Sequence, residues 1–354
     1  MAIFAEAISN LFGVKNPGPG LVFLLSFIGA AIWSAIMLTL IAFSLVWFKR
    51  KWNARLGDRI AVNRVGPFGL SILVADALKL LGKEIVIPDD VDRFAYKFAP
   101  VISVAPIILA FGFVPWGNGL QVSDPEAGLV LMFALVSIPA IGITMGGYGA
   151  NNKYTFLGFE REVAQTIAYE IPLVIGAAAV IPLVGYFTDG GSALQLSNIV
   201  AAQQGPLYGI EGFPIPNWFI FAQPFAAILV FISFLAEFAR NPFDLPEAGS
   251  ELVAGYLTEY GGANFMLMFL AEFAHIYIGA AIFTTLFLGG GAGIILPSAV
   301  WFIIKVFLIY VFVQWLRGTI PRVRIDQLLA IGWKRLLELT FLNLLFTTAV
   351  IWVI

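Results

Sequence analysis

Residues 237–262, EFARNPFDLPEAGSELVAGYLTEYGG, hold five carboxylates, Glu237, Asp244, Glu247, Glu251 and Glu259, against one base, Arg240. Crowded carboxyl groups in a partly apolar setting can exchange protons near neutral pH, because desolvation raises their pKa values. Further ionisable groups stand inside long apolar runs. Glu170 sits in AYEIPLV ahead of Pro172, and Glu272 sits in LAEFAHI. His275 follows Glu272 by three residues and so shares its helix face. Lys305 lies in FIIKVFL, and Glu338 lies about one turn into the last apolar run. Such a group at a bilayer centre costs at least ~2.5–3.5 kcal/mol on insertion scales. Either these groups satisfy one another structurally or they line a polar cavity that moves protons, and the second reading is favoured for the acids. His275, a lone intramembrane histidine, reads as a hydrogen-bonded packing residue.

The chain that positions them has 354 residues, 60% hydrophobic and 12% charged, with a mean hydropathy of +0.91. Soluble domains average about 25% charged residues, so this composition points to an all-α polytopic membrane protein. The net charge of −2 offers no basic surface for nucleic acid, and none is expected as a partner. There is no cysteine and one histidine, which excludes disulfides, thiolate metal sites and a bis-histidine haem within the chain. No metal site is expected, and any redox cofactor belongs to a partner or arrives as a diffusible substrate.

A bilayer core needs about 20 apolar residues per helix. About eight candidates follow, near 21–48, 98–116, 128–150, 165–187, 218–238, 264–288, 297–318 and 333–354, in a single membrane domain over 1–354. The first run is far longer than the ~7–15 residues of a signal-peptide core, so it reads as a retained span. Within the long loop 49–97, PFGLSILVADALKLLG (67–82) reads as an amphipathic helix on the inner face, with Asp76 and Lys79 one turn apart. Eighteen of the twenty lysines and arginines fall on one side, in loops 49–97, 151–164 and 239–263 and around 319–332. That side is inner by the positive-inside rule, which puts both termini on the outer face.

The acidic stretch therefore lies on the basic face. Pro242 and Pro246 interrupt any helix there, and a helix restarting at Pro246 would put Glu247 and Glu251 on one face. Interleaved Phe243, Leu245, Leu252, Val253 and Tyr256 argue for a folded, partly buried wall rather than a solvated loop. In TFLGFEREVAQTIAYE, Glu160 and Glu162 read as surface charges at a helix entrance. The basic tail loop 317–335 is accounted for mostly by topology alone.

NPFDLPEAGSELVAGYLTEYGG resembles the signature of the H subunit of proton-pumping NADH:quinone oxidoreductase, respiratory complex I. The resemblance recurs in NRVGPFG (63–69), ADALKLLGKE (75–84), NNKYTFLG (151–158), VAQTIAYEIPL (163–173) and PRVRIDQLLAIGWK (321–334), covering roughly residues 40–335. It implies a subunit without independent activity that forms most of a quinone chamber, with quinone (ubiquinone or a relative) as substrate. FMN and iron–sulfur clusters are implied on partner subunits, and NAD as the donor's cofactor. The implied partners are peripheral-arm subunits on the inner face, small and antiporter-like membrane subunits, and the lipid bilayer. The implied location is the bacterial inner membrane, or alternatively the mitochondrial one. By matching position, the resemblance places Arg50, Arg55, Arg59, Arg64, Asp76, Arg240, Phe243 and Asp244 at the chamber. It places Glu170, Glu237, Glu247, Glu251, Glu259 and Glu272 in proton coupling. Lys49-Arg50 stands where the family usually has Glu-Arg, and Gly249 stands where a further Glu is common. An anchor of an ion-pumping hydrogenase or of a ferredoxin- or coenzyme-linked dehydrogenase is the nearest alternative reading. A proton-coupled transporter ranks below it, since no internal repeat is visible.

Overall fold

A computed structural model describes residues 20, 24, 28, 29, 32, 35, 47–117, 121–188, 191–204, 217–247, 249, 251–293 and 296–353. Among these every regular element is helical. After α1 (47–56) come α2 (Ile72–Gly82), α3 (Arg93–Phe113), α4 (Gly128–Gly149) and α5 (Lys153–Ala178), which runs on into α6 (Ile181–Phe187). Then follow α7 (Leu196–Ala202), α8 (Pro224–Glu237), α9 (Gly262–Phe287), α10 (Ser298–Thr319), α11 (Ile325–Ile331) and α12 (Leu337–Val353). A π-helical turn, Gly332–Leu336, joins α11 to α12.

Among the described residues, six helical stretches are long and apolar enough to cross a membrane: Arg93–Phe113, Gly128–Gly149, Lys153–Phe187, Gly262–Phe287, Ser298–Thr319 and Ile325–Val353. Helix α8 is apolar but has only 14 residues. The expected first span, 21–48, lies mostly outside the described residues, as does the stretch 205–216 ahead of α8.

Local chemistry sets the helix starts. The Asp92 carboxylate accepts from the backbone N–H groups of Phe94 and Ala95 at 3.0 and 3.3 Å, capping α3. The Asn152 side chain does the same for Tyr154 at 3.0 Å, capping α5. Such caps satisfy donors that the helix itself leaves open. Pro224 starts α8 at a position where its missing N–H costs nothing. Pro100, Pro106, Pro139 and Pro172 lie inside helices, where packing against neighbours offsets the lost backbone bonds.

The bundle packs α3 along α4, α5 beside both α4 and α8, and α9 against α3 and α10. Its main core joins these helices through residues such as Phe111, Trp116, Phe273, Phe302 and Tyr310. At one end the loop 238–261 folds back onto the helices. A Cβ on Gly158 would lie 2.7 Å from the Tyr256 backbone nitrogen, so only glycine lets the loop backbone sit on α5. Tyr96 and Tyr260 stack with ring centroids 4.4 Å apart. The Tyr260 hydroxyl donates to the Tyr96 carbonyl at 3.1 Å, and the Tyr96 hydroxyl donates to that of Glu259 at 2.8 Å. The loop is thereby pinned to α3 as well as to α5.

Candidate functional site

The loop chain leaves α8 at Glu237 and immediately buries Arg240, only 2% exposed. Arg240 forms an ion pair with Glu272 of α9, and its guanidinium lies 5.5 Å from the centre of the Phe273 ring. Burial opposes its charge, but Glu272, Glu247 and Asp244 outweigh that effect and its pKa is raised. Lys49 Nζ of α1 approaches Glu272 from another side, at 4.0 Å, and lies 4.3 Å from the Phe273 ring centre.

Glu247 turns inward from the loop. Its carboxyl group stands beside that of Glu272, and the Tyr256 hydroxyl donates to it at 3.4 Å. Burial, then the Glu272 charge beside it, push its pKa well above the usual carboxylate range. Glu247 is thus the member of the pair that favours holding a proton, which it can share with the Glu272 carboxylate. Burial and the Glu247 charge likewise push the Tyr256 phenol upward, which keeps it a donor.

Glu162, Glu237, Glu247, Glu272, Tyr256 and His275 line one cavity of about 30 Å³. A water needs ~10–15 Å³ of such space and two to four polar partners, so this cavity has room for about two waters between the carboxyl groups. A second cavity, about 420 Å³, lies on the far side of Phe273. Lys49, Arg50, Asn53 and Arg59 supply its polar wall, and Phe269 and Phe273 supply aromatic faces. Lys49 and Phe273 border the larger space while touching the Glu272–Arg240 pair, so the two cavities meet at that pair.

The residues singled out in the sequence separate into groups. Arg50 and Arg59 line the larger cavity, and Arg50 pairs with Asp76 of α2 at 2.6 Å. Arg55 and Arg64 are exposed and line neither cavity. Phe243 is buried against Tyr169, with ring centroids 5.6 Å apart, in a cluster that includes Leu328. Asp244 faces Arg322 at 3.6 Å and Arg317 at 4.0 Å, tying the loop to the last turn of α10 and the chain just after it. The Glu170 carboxyl is hydrogen-bonded to the Ser137 hydroxyl, and the Glu259 carboxylate accepts from the Asn152 amide. Glu237 is 3% exposed and has Glu170 and Glu162 within electrostatic reach.

Two expectations are corrected. No helix restarts at Pro246: the described residues from there to Ala254 form turns, and Val253 and Gly255 take positive φ values of 63° and 57°. With turns in place of a helical repeat, Glu247 and Glu251 do not share a face. Glu247 points inward, whereas Glu251 is exposed and pairs with Arg161 at 2.6 Å. Glu162 is not a surface charge either. It is 6% exposed and lines the carboxyl cavity, while Glu160 is exposed. The signal was the helical stripe Gly158, Glu162, Gln165, Thr166 and Tyr169, all of it buried on one face of α5.

The remaining intramembrane groups have structural partners or face outward. His275 Nε2 is hydrogen-bonded to the Val136 carbonyl at 3.0 Å, with its ring edge-on to Phe238. Lys305 donates to the carbonyls of Leu288, Gly290 and Ala292 at 2.6, 2.9 and 2.7 Å, closing the end of α9. Glu338 is exposed on the first turn of α12.

The model of the NADH dehydrogenase family matches residues 28–348 of the chain. The H subunit of the NADH-quinone oxidoreductase of Dehalococcoides mccartyi strain CBDB1 is 41% identical over 302 residues, 85% of this chain and 80% of the relative. The chain belongs to this family. The corresponding protein of Carboxydothermus hydrogenoformans is 41% identical over 310 residues, 86% of this chain and 83% of its own length. The H 2 subunit of the Geobacter sulfurreducens enzyme is 42% identical over 321 residues, covering 88% and 92%. The family match spans α1 to α12, and so includes both cavities and the whole acidic loop.

Proposed function

We propose that the chain is a membrane subunit of a proton-pumping NADH-quinone oxidoreductase, forming its quinone chamber and coupling quinone reduction to proton translocation. The observation that carries this is the junction at Glu272. A cavity of about 420 Å³ with cationic and aromatic walls meets a carboxyl-lined, water-sized cavity across one buried ion pair. Its volume falls in the ~300–1,000 Å³ range of small-molecule sites, with a few polar groups on a largely apolar wall.

Reducing a quinone takes two electrons and two protons, so negative charge develops on its oxygens until protons arrive. Lys49, Arg50 and Arg59 stabilise that charge from the cavity wall. Glu272 feels it through Lys49, and the proton held between Glu247 and Glu272 shifts in response. Glu162 and Glu237, across the same small cavity, pass the change to Glu170 and onward into the membrane.

Electrons come from partner subunits that carry FMN and iron–sulfur clusters, since this chain has no cysteine and one histidine. Its partners are peripheral-arm subunits on the loop side of the bundle and small and antiporter-like subunits in the membrane. The basic loops face the cytoplasm of a bacterial cell whose inner membrane holds the complex, with both termini outside. Arg55 and Arg64, exposed on the loop side, serve contacts between subunits rather than the head group. The test is photolabelling of the assembled complex with a photoreactive quinone. Label recovered in 49–62 or 269–273, and competed by quinone, is expected. Competable label confined to other segments of the chain, or to other subunits, sinks the reading.

A further inference from the structure

Lys49 sets a base at the place where α1 meets Glu272. Its surroundings differ from those of Arg240, the other cation on the same carboxylate. Arg240 is 2% exposed and held in a direct ion pair, whereas the Lys49 side chain is 16% exposed and stands 4.0 Å from Glu272. At that distance the ammonium makes no direct hydrogen bond to the carboxylate. It rests instead between two ring faces, with centres 4.3 Å away for Phe273 and 5.6 Å for Phe269. Both rings and Lys49 itself are walls of the 420 Å³ cavity. The other charged groups within electrostatic reach are Arg240, Arg317 and Glu247.

Glu272 thus has one cation locked in place and one free to turn. A lysine stem has four rotatable bonds and three N–H donors, so a small rotation moves the charge from one acceptor to another. We propose that Lys49 is a charge-transmitting residue, shared between Glu272 and an anionic oxygen of the reduced ligand in the larger cavity. This rests on the reading of that cavity as the quinone site.

The step balances. Two electrons from the partner's iron–sulfur chain and one proton convert the quinone to a singly charged hydroquinone anion. Lys49 turns to that oxygen, and Glu272 keeps only Arg240. The proton Glu247 donates then moves toward Glu272, leaving on Glu247 a negative charge that Glu162 and Glu237 feel across the small cavity. When a second proton neutralises the hydroquinone, Lys49 returns to Glu272 and the shared proton returns toward Glu247.

The experiment uses the purified complex in proteoliposomes with Lys49→Gln and Lys49→Arg. Quinone KM, kcat and the ratio of protons pumped to electrons transferred are measured in each. Lys49→Gln is expected to raise KM about tenfold, the factor worth about 1.4 kcal/mol of charge-assisted hydrogen bonding. It is also expected to lower the proton-to-electron ratio, and Lys49→Arg is expected to restore both in large part. A Lys49→Gln complex with wild-type KM and ratio overturns the proposal, as does one with raised KM and an intact ratio. A variant that fails to assemble makes Lys49 structural and overturns it equally. If the photoreactive quinone labels 49–62 while these kinetics stay unchanged, only the Lys49 proposal falls. If that label lies elsewhere, the cavity reading falls with it.

Discussion

Removing Arg240 tests the central ion pair most directly. Arg240→Met keeps the apolar stem and deletes a guanidinium that is 2% exposed and paired with Glu272. Breaking a buried pair by removing one partner costs about 3–5 kcal/mol, because the other charge stays buried without compensation. Loss of the cation over Phe273 adds ~0.5–1 kcal/mol. Lys49, 4.0 Å away, remains to offset part of this, so the lower end, about 3 kcal/mol, is expected. In domains of 150–250 residues ~1 kcal/mol moves Tm by roughly 2–4 °C, and less in larger ones, so a drop of about 5 °C follows. The assay is thermal unfolding of the detergent-solubilised complex, followed by release of this subunit. The decisive comparison is Arg240→Met combined with Glu272→Gln, which removes both charges. It is expected to recover at least half of the lost stability, since an apolar replacement of a whole buried pair is often neutral. A double variant no more stable than Arg240→Met alone would refute the assignment of this pair as the energetic unit.

Two further outcomes follow from the carboxyl groups. Glu247 has a pKa raised in the folded chain above the ~4.3 of a free glutamate, so its contribution is fully present below that value. It is lost as pH rises through the folded pKa, and Glu247→Gln is expected to flatten the alkaline side of a Tm-against-pH curve; an unchanged alkaline slope would contradict this. Glu162→Gln is expected to lower the proton-to-electron ratio in proteoliposomes, whereas Glu160→Gln, at an exposed neighbour on the same helix, leaves it at the wild-type value; equal effects of the two would remove Glu162 from the pathway.

The apolar runs made the helical, membrane-embedded class legible, because hydropathy depends only on composition along the chain. Pairings across the chain were less legible. Arg161 has its partner in Glu251, ninety residues away, and nothing in the local spacing names it. Glu247 and Glu251 differ in direction because the described residues from Pro246 to Ala254 form turns rather than a helix, and a proline suits a turn as well as a helix start. Glu162 was recoverable, since its buried neighbours follow helical spacing, but three charges in a row at 160–162 masked the stripe. Lys49 stood out as a departure from the family's wording, though only the fold shows that it departs toward Glu272. Lys305 needed the course of the chain after α9, whose carbonyls it gathers.

The contact at Gly158 bears on how the site keeps its tolerances. Side chains between two elements act as a cushion, and a cushion lets each drift against the other. Here the loop backbone at Gly255–Tyr256 rests directly on α5, with no room for a methyl group. Glu247 and Tyr256 therefore share a frame of reference with Glu162, fixed by main chain rather than by packing. The tip around the exposed Gly249 lies outside that frame. An acid gained or lost at the tip can change what the loop shows to its surroundings while the spacing of the inner carboxyl groups stays constant.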